Sequence, residues 1–266
     1  MIRIPFAKAH GARNDFLLTW AHEAPQTDLA AAAIALMDRH AGVGADGWLL
    51  VSPPRNGDPA AIRLFNPDGS EAEISGNGTR CAAAFLADAG HTGGVFTIRT
   101  GAGVKELRLI EREGLRFLFE MNMGEVRCVA LRHRLALQSG EVEATLIDAG
   151  NPQCALFVEN FDFGWKASGA EIEAHPDFPN RTNVSFVRVV DRATLDVRFF
   201  ERGAGFTMSS GTGSTGAFAA ARARGLVDEA VTVQTVAGDL KLRFEAGVIR
   251  LVGPAEIVAG GEFYFG

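Results

Sequence analysis

A repeat constrains this chain more than any other feature. The stretch ISGNGTRCAAAFLA, Ile74 to Ala87, is echoed by SSGTGSTGAFAAAR, Ser209 to Arg222. Ser75 and Ser210 are 135 residues apart, about half of the 266-residue chain. Each copy sets Ser-Gly-x-Gly ahead of an alanine-rich segment with helical pattern. Small residues face nearly all round both segments (Ala82, Ala83, Ala84; Ala217, Ala219, Ala220, Ala221), with few charges except near the ends. A helix without a polar face is normally buried, and alanine lets strands approach it closely. The pattern predicts an α/β (α+β) fold with two pseudo-symmetric lobes, each a curved, mostly antiparallel sheet around a central helix.

The rest of the chain supplies those sheets. DFLLTW, AIRLFN, VKELRLIE, LRFLFEM, ATLIDAG, CALFVE, TNVSFVRVV, LDVRFFE, VTVQTV and DLKLRFE are short, rich in β-branched or aromatic residues, and bounded by Gly, Asp, Asn or Pro. Helices are expected over 28–40 and, shorter, over 171–178, besides those over 78–90 and 213–225 behind the glycine loops. EMNMGEVRCVAL, around 120–131, reads as the crossover between halves. The lobes are then 1–120 and 121–256, and the last strand, 257–266, can return to the first.

Bulk properties narrow the function. A net charge of −6 and scattered Lys and Arg offer no positive field for nucleic acid or an anionic membrane. No window approaches about 18 uninterrupted apolar residues, so no membrane span is expected. Cys81, Cys128 and Cys154 are odd in number and widely spaced, which fits a reducing cytoplasm better than a disulfide framework. The histidines are scattered, with no H-x-x-x-H or C-x-x-C, so no metal constellation is expected.

Gly-x-Gly at the start of a helix presents unpaired N–H groups at the positive end of the helix dipole, a generic anion site. Glycine there lets the backbone crowd a ligand and adopt positive φ. The second loop, Gly211 to Gly216, also matches G-x-G-x-x-G with Asp239 further on, so a dinucleotide site is one reading. Against it, the strand LDVRFFE ends well before the loop, and the duplicate at Gly76 has no place in that reading.

Six ordered blocks resemble the diaminopimelate epimerase family: AHGARNDF near the start, DRHAGVGADG (38–47), FNPDGSEAEISGNGTRC (65–81), AGNPQC (149–154), HPDFPNRTNVSF (175–186) and ERGAGFTMSSGTG (201–213). The resemblance spans nearly the whole chain. It implies two similar α/β halves with a cleft between them, and cofactor-independent stereoinversion at Cα of an amino acid, LL- to meso-diaminopimelate. It implies no pyridoxal phosphate, no metal, and a homodimer as a possible assembly. Substrate contacts carried over by the resemblance are Asn14, Asn66, Asn151, Asn183, Glu201 and Arg202, with backbone donors at Gly76, Asn77, Gly211 and Thr212. The chemistry agrees, since Arg202 can hold a carboxylate bidentately and asparagines both donate and accept.

The resemblance implies two opposed acid/base residues, one before each Gly-x-Gly, where the family has cysteine; here these are Ser75 and Ser210. Cys81 matches a second, non-catalytic cysteine and is expected in the core. Gln153 stands where an ionisable histidine is expected, and Phe206 where a glutamate is expected. A serine hydroxyl acts as a base only beside a group that takes its proton, and no such partner is obvious in the sequence. Two readings follow: an epimerase working with serines, or a non-catalytic or repurposed amino-acid-binding protein on the same scaffold. His40 reads as a helix C-terminal cap, and Asp46 and Asp68 as turn formers beside Gly47 and Gly69.

Overall fold

The computed structural model describes residues 1–26, 28–55 and 57–266. The chain divides into two compact units, Met1–Met121 with Gly253–Gly266, and Asn122–Val252. The elements run β1 (Ile2–Gly11), β2 (Asn14–Trp20), α1 (Leu29–Met37), β3 (Gly47–Ser52), β4 (Ala60–Phe65), β5 (Glu71–Ala72), α2 (Gly76–Asp88), β6 (Val95–Thr100), β7 (Gly103–Glu113) and β8 (Arg116–Gly124). Then follow β9 (Arg127–Leu137), β10 (Gly140–Asp148), β11 (Pro152–Phe157), α3 (Trp165–Glu173), β12 (Asn183–Asp191), β13 (Thr194–Glu201), β14 (Gly205–Thr207), α4 (Gly211–Ala223), β15 (Ala230–Thr235), β16 (Gly238–Glu245) and β17 (Val248–Phe265).

The repeat read from the sequence is a repeat of topology. In the first unit β1 pairs antiparallel with β2, which reaches β3 in parallel through the α1 crossover. β3 pairs antiparallel with β4, which carries the short hairpin partner β5 and reaches β6 in parallel across α2. The second unit runs the same course: β10–β11 antiparallel, β11–β12 parallel across α3, β12–β13 and β13–β14 antiparallel, and β13–β15 parallel across α4. β6–β7 and β7–β8 close one series, and β15–β16 and β16–β17 the other, all antiparallel. The Glu256–Phe265 part of β17 pairs with β1.

Burial follows the layers. β3, GWLLVS, is buried from Gly47 to Val51 because α1 covers one side and α2 the other. β6, VFTIRT, alternates exposed and buried, with one face in the core. Ala32, Ala33, Leu36 and Met37 of α1 pack on Trp48 and Leu50, while Ile172 of α3 packs with Leu156, Val184 and Phe186. α2 is buried on almost every face from Gly76 to Ala87, and α4 from Gly211 to Ala221, each inside the strands of its own unit.

Three expectations change. The central helices start two residues earlier than their apolar pattern, because Ser75 and Ser210 are N-caps whose Oγ atoms accept from Gly78 N and Gly213 N. Gly76 and Gly211 therefore open the first helical turn, and none of the four loop glycines has positive φ. Glycine is needed for closeness instead: a Cβ on Gly213 would lie 2.7 Å from the Phe199 ring, and one on Gly78 3.1 Å from Phe16. The helix expected over 171–178 lies at Trp165–Glu173. Pro176 disfavours helical backbone at His175, so the segment ends one turn sooner and extends upstream.

Candidate active site

Ser75 and Ser210 occupy equivalent places, each the N-cap of a buried helix at whose start the N–H groups of the first turn gather. The surroundings of the two serines differ.

At the start of α2, Ser75 Oγ accepts from Gly78 N at 3.1 Å, and its carbonyl accepts from Thr79 Oγ1 at 2.7 Å. One turn on, Arg80 is completely buried. Its guanidinium donates to Asn77 Oδ1 at 2.5 Å, Pro254 O at 3.1 Å and Gly76 O at 3.4 Å. Burial lowers its pKa to about 10, which leaves it cationic at neutral pH. Asn77 Nδ2 donates to Asn14 Oδ1 at 3.1 Å, and Asn14 Nδ2 to Asp46 Oδ2 at 2.8 Å. Asp46 also accepts from Arg39 at 2.7 Å. Asp46, a turn former by its place beside Gly47 in the sequence, is the acceptor that ends this chain of amides.

Asn66 is not drawn into that chain. Its Nδ2 donates to Ser70 Oγ at 3.0 Å, and its backbone closes the turn at Gly69, whose φ is +82°. Asp68 accepts from Ser70 N and Oγ, as a turn former should. Cys81 packs in the core, where burial pushes its thiol up to about 12 despite the Arg80 charge. It is a thiol at neutral pH and does not replace a catalytic thiolate. His40 lies in the turn beyond α1, its N–H held by Asp38 Oδ1 at 2.7 Å.

At the start of α4 the serine has the partner that the sequence did not reveal. Ser210 Oγ donates to Glu201 Oε2 at 3.0 Å while accepting from Gly213 N at 3.0 Å. Glu201 Oε1 accepts from Thr207 Oγ1 at 2.5 Å. The β13–β14 hairpin makes this possible by pairing Glu201 with Gly205 and folding the chain back toward Ser210. Asn183 bridges two segments, donating to Pro152 O at 3.0 Å and accepting from Arg202 N at 3.1 Å. Arg202 Nη1 donates to Asn180 O at 3.3 Å. Asn151 Oδ1 accepts from Gln153 Nε2 at 2.8 Å.

Gln153 packs so closely on α4 that a Cβ on Gly216 would meet its own Cβ at 2.7 Å. Its buried Oε1 has no hydrogen-bond partner among the described residues. Phe206 stacks edge-on against Trp165 at 5.5 Å with Lys166 over its ring at 4.4 Å, so it adds apolar contact and no proton-carrying group. A depression of about 450 Å³ beside Arg55, Asp58 and His91 takes in none of these residues.

Sequence reasoning passed over Arg80, read Asp46 as a turn former, and gave Glu201 as a substrate contact without its bond to Ser210. The available signal for Arg80 was an arginine inside an otherwise small, uncharged helix.

The diaminopimelate epimerase family model matches residues 6–129 and 145–258. The chain is 38% identical over 275 residues to diaminopimelate epimerase of Pelotomaculum thermopropionicum, covering 97% of this chain and 98% of that one. It is 34% identical to the diaminopimelate epimerase of Acetivibrio thermocellus, covering 97% of each. Among solved structures, a hydroxyproline epimerase from Agrobacterium vitis with bound trans-4-hydroxy-L-proline superposes with a TM-score of 0.73 over 98% of this chain and 91% of that one. At 18% identity that likeness speaks for the fold.

Proposed function

Because the chain belongs to the diaminopimelate epimerase family, we propose that it inverts Cα of an amino acid, LL- to meso-diaminopimelate, with Ser75 and Ser210 in the acid/base positions. The reaction is an isomerase step of lysine biosynthesis in the cytoplasm, run without pyridoxal phosphate or metal. The observation that carries the proposal is the hydrogen bond from Ser210 Oγ to the Glu201 carboxylate. A serine becomes a usable base when a neighbour takes its proton. Ser210 Oγ accepts the α-proton as its own hydroxyl proton passes to Glu201, Ser75 Oγ–H gives a proton to the other face of Cα as it takes one from water, and Glu201 returns its proton to water. The N–H groups of Gly76 and Asn77, and those of Gly211 and Thr212, are donors suited to a substrate carboxylate, where charge builds as Cα loses its proton. Asn14, Asn66, Asn151, Asn183 and Arg202 hold the remaining polar groups.

One observation favours a second reading, a non-catalytic amino-acid-binding protein. Ser75 Oγ hydrogen-bonds to Gly78 N and, among the described residues, to no carboxylate. The test is α-proton exchange of LL-diaminopimelate in D₂O, followed by proton NMR. Loss of the α-proton signal above the protein-free control supports catalysis. Ligand line-broadening without exchange supports the binding protein, and neither effect removes diaminopimelate as the ligand.

A further inference from the structure

The amide chain beside Ser75 has a direction. At its buried end stands Arg80, whose guanidinium can only donate; at its exposed end stands Asp46, whose carboxylate accepts. Asn77 must therefore turn Oδ1 to Arg80 and Nδ2 to Asn14. Asn14 must then turn Oδ1 to Asn77 and Nδ2 to Asp46. An asparagine between neutral partners can flip at little cost; between fixed charges each flip would set donor against donor or acceptor against acceptor. The backbone carries a matching constraint. Asn14 follows the two-residue turn Ala12-Arg13, both at positive φ (51° and 60°) with neither a glycine. Such turns favour Asn-Gly, and strained backbone of this kind collects at functional sites.

We infer that Arg80 and Asp46 are positioning residues that fix which way the Asn14 and Asn77 amides face, and so set the donors and acceptors those asparagines offer a bound amino acid. With its bonds to Asn77 and Asp46 made, the Asn14 amide retains the capacity for one further donated and one further accepted hydrogen bond. The ligand in this inference rests on the proposed function; the orientation is a property of the free protein. Arg80 donates also to Gly76 O and Pro254 O, so the same guanidinium ties the first turn of α2 to the amides. Its low exposure and lowered pKa agree with a cation held by neutral acceptors in place of a carboxylate.

The test uses full-length protein labelled with ¹⁵N at asparagine, read first without ligand. Asn14 and Asn77 should each give one pair of side-chain amide signals, with one slowly exchanging hydrogen per pair. Asp46→Asn makes the exposed end ambiguous, so the Asn14 pair should double or lose its slow hydrogen. Binding of LL-diaminopimelate should then weaken about tenfold, the scale of one lost charge-assisted hydrogen bond. Arg80→Lys keeps a cationic donor and should recover most of the wild-type pattern, whereas Arg80→Met should not. Asp46 is 41% exposed, so Asp46→Asn decides the matter even where Arg80→Met does not fold. Unchanged amide signals in Asp46→Asn would overturn the inference. Changed amides with unchanged affinity would overturn the positioning role. Failure of the wild type to bind or exchange LL-diaminopimelate would count against the proposed function, while the amide signals would still support or overturn the fixed orientation.

Discussion

The starts of α2 and α4 repeat one backbone device in two electrostatic settings. Ser75 and Ser210 cap their helices through the same bond, at 3.1 and 3.0 Å. At the position of Arg80 the second copy has Thr215, and both side chains reach the first carbonyl of their helix, Gly76 O and Gly211 O respectively. One does so with a buried cation and the other with a neutral hydroxyl. Conversely, Ser210 donates to a carboxylate and, among the described residues, Ser75 does not. The scaffold is shared, and the two copies differ in charge: a buried cation follows Ser75, and a carboxylate accepts from Ser210.

The comparison breaks most sharply at Glu201. Glu201→Gln should lower α-proton exchange about 100-fold or more, the range for loss of a general base. Ser75→Ala should cost less, and equal losses in the NMR exchange assay would erase the asymmetry. Next in size is Arg80→Met, which leaves three acceptors without their donor; at about 1 kcal/mol or more each, the loss is about 3 kcal/mol or more by urea unfolding. Thr215→Val removes one hydroxyl bond and should cost about 1 kcal/mol. A smaller contrast is steric. Gly213→Ala should destabilise by about 2 kcal/mol and Gly78→Ala by less, since the added Cβ meets Phe199 at 2.7 Å and Phe16 at 3.1 Å.

The smallest effect concerns acid. Burial works to raise the pKa of Asp15, but hydrogen bonds and charge from Arg39 and Lys8 outweigh it and hold the carboxyl below its ordinary value. A carboxyl with the lower pKa in the folded state stabilises above its unfolded pKa and loses that contribution as pH falls through the folded one. Urea midpoints should therefore fall below about pH 4. Asp15→Asn should flatten part of that fall, while losing less than about 1 kcal/mol at pH 7.

The fold was legible because its signals are local. The Ser-Gly-x-Gly echo, the all-round small residues of α2 and α4, and the β-branched runs each report their own segment. The Ser210–Glu201 bond was harder to read, since nine residues separate the two and a hairpin must form to join them. The Arg80–Asn77–Asn14–Asp46 chain spans residues from β2, α2 and the segment before β3, so no spacing announces it. The α3 boundary was misplaced because the span expected over 171–178 runs through Pro176, which disfavours helical backbone at His175, and omits the turns that begin at Trp165.

The central claim is inversion at Cα by proton transfer to and from the protein. Its most direct test is to incubate LL-diaminopimelate with the wild-type protein in D₂O and resolve the LL and meso isomers while following their α-hydrogens. The expected result is meso-diaminopimelate carrying deuterium at the inverted carbon, formed as the LL isomer is consumed. Loss of the α-proton with no meso isomer, or no change in either, would contradict it.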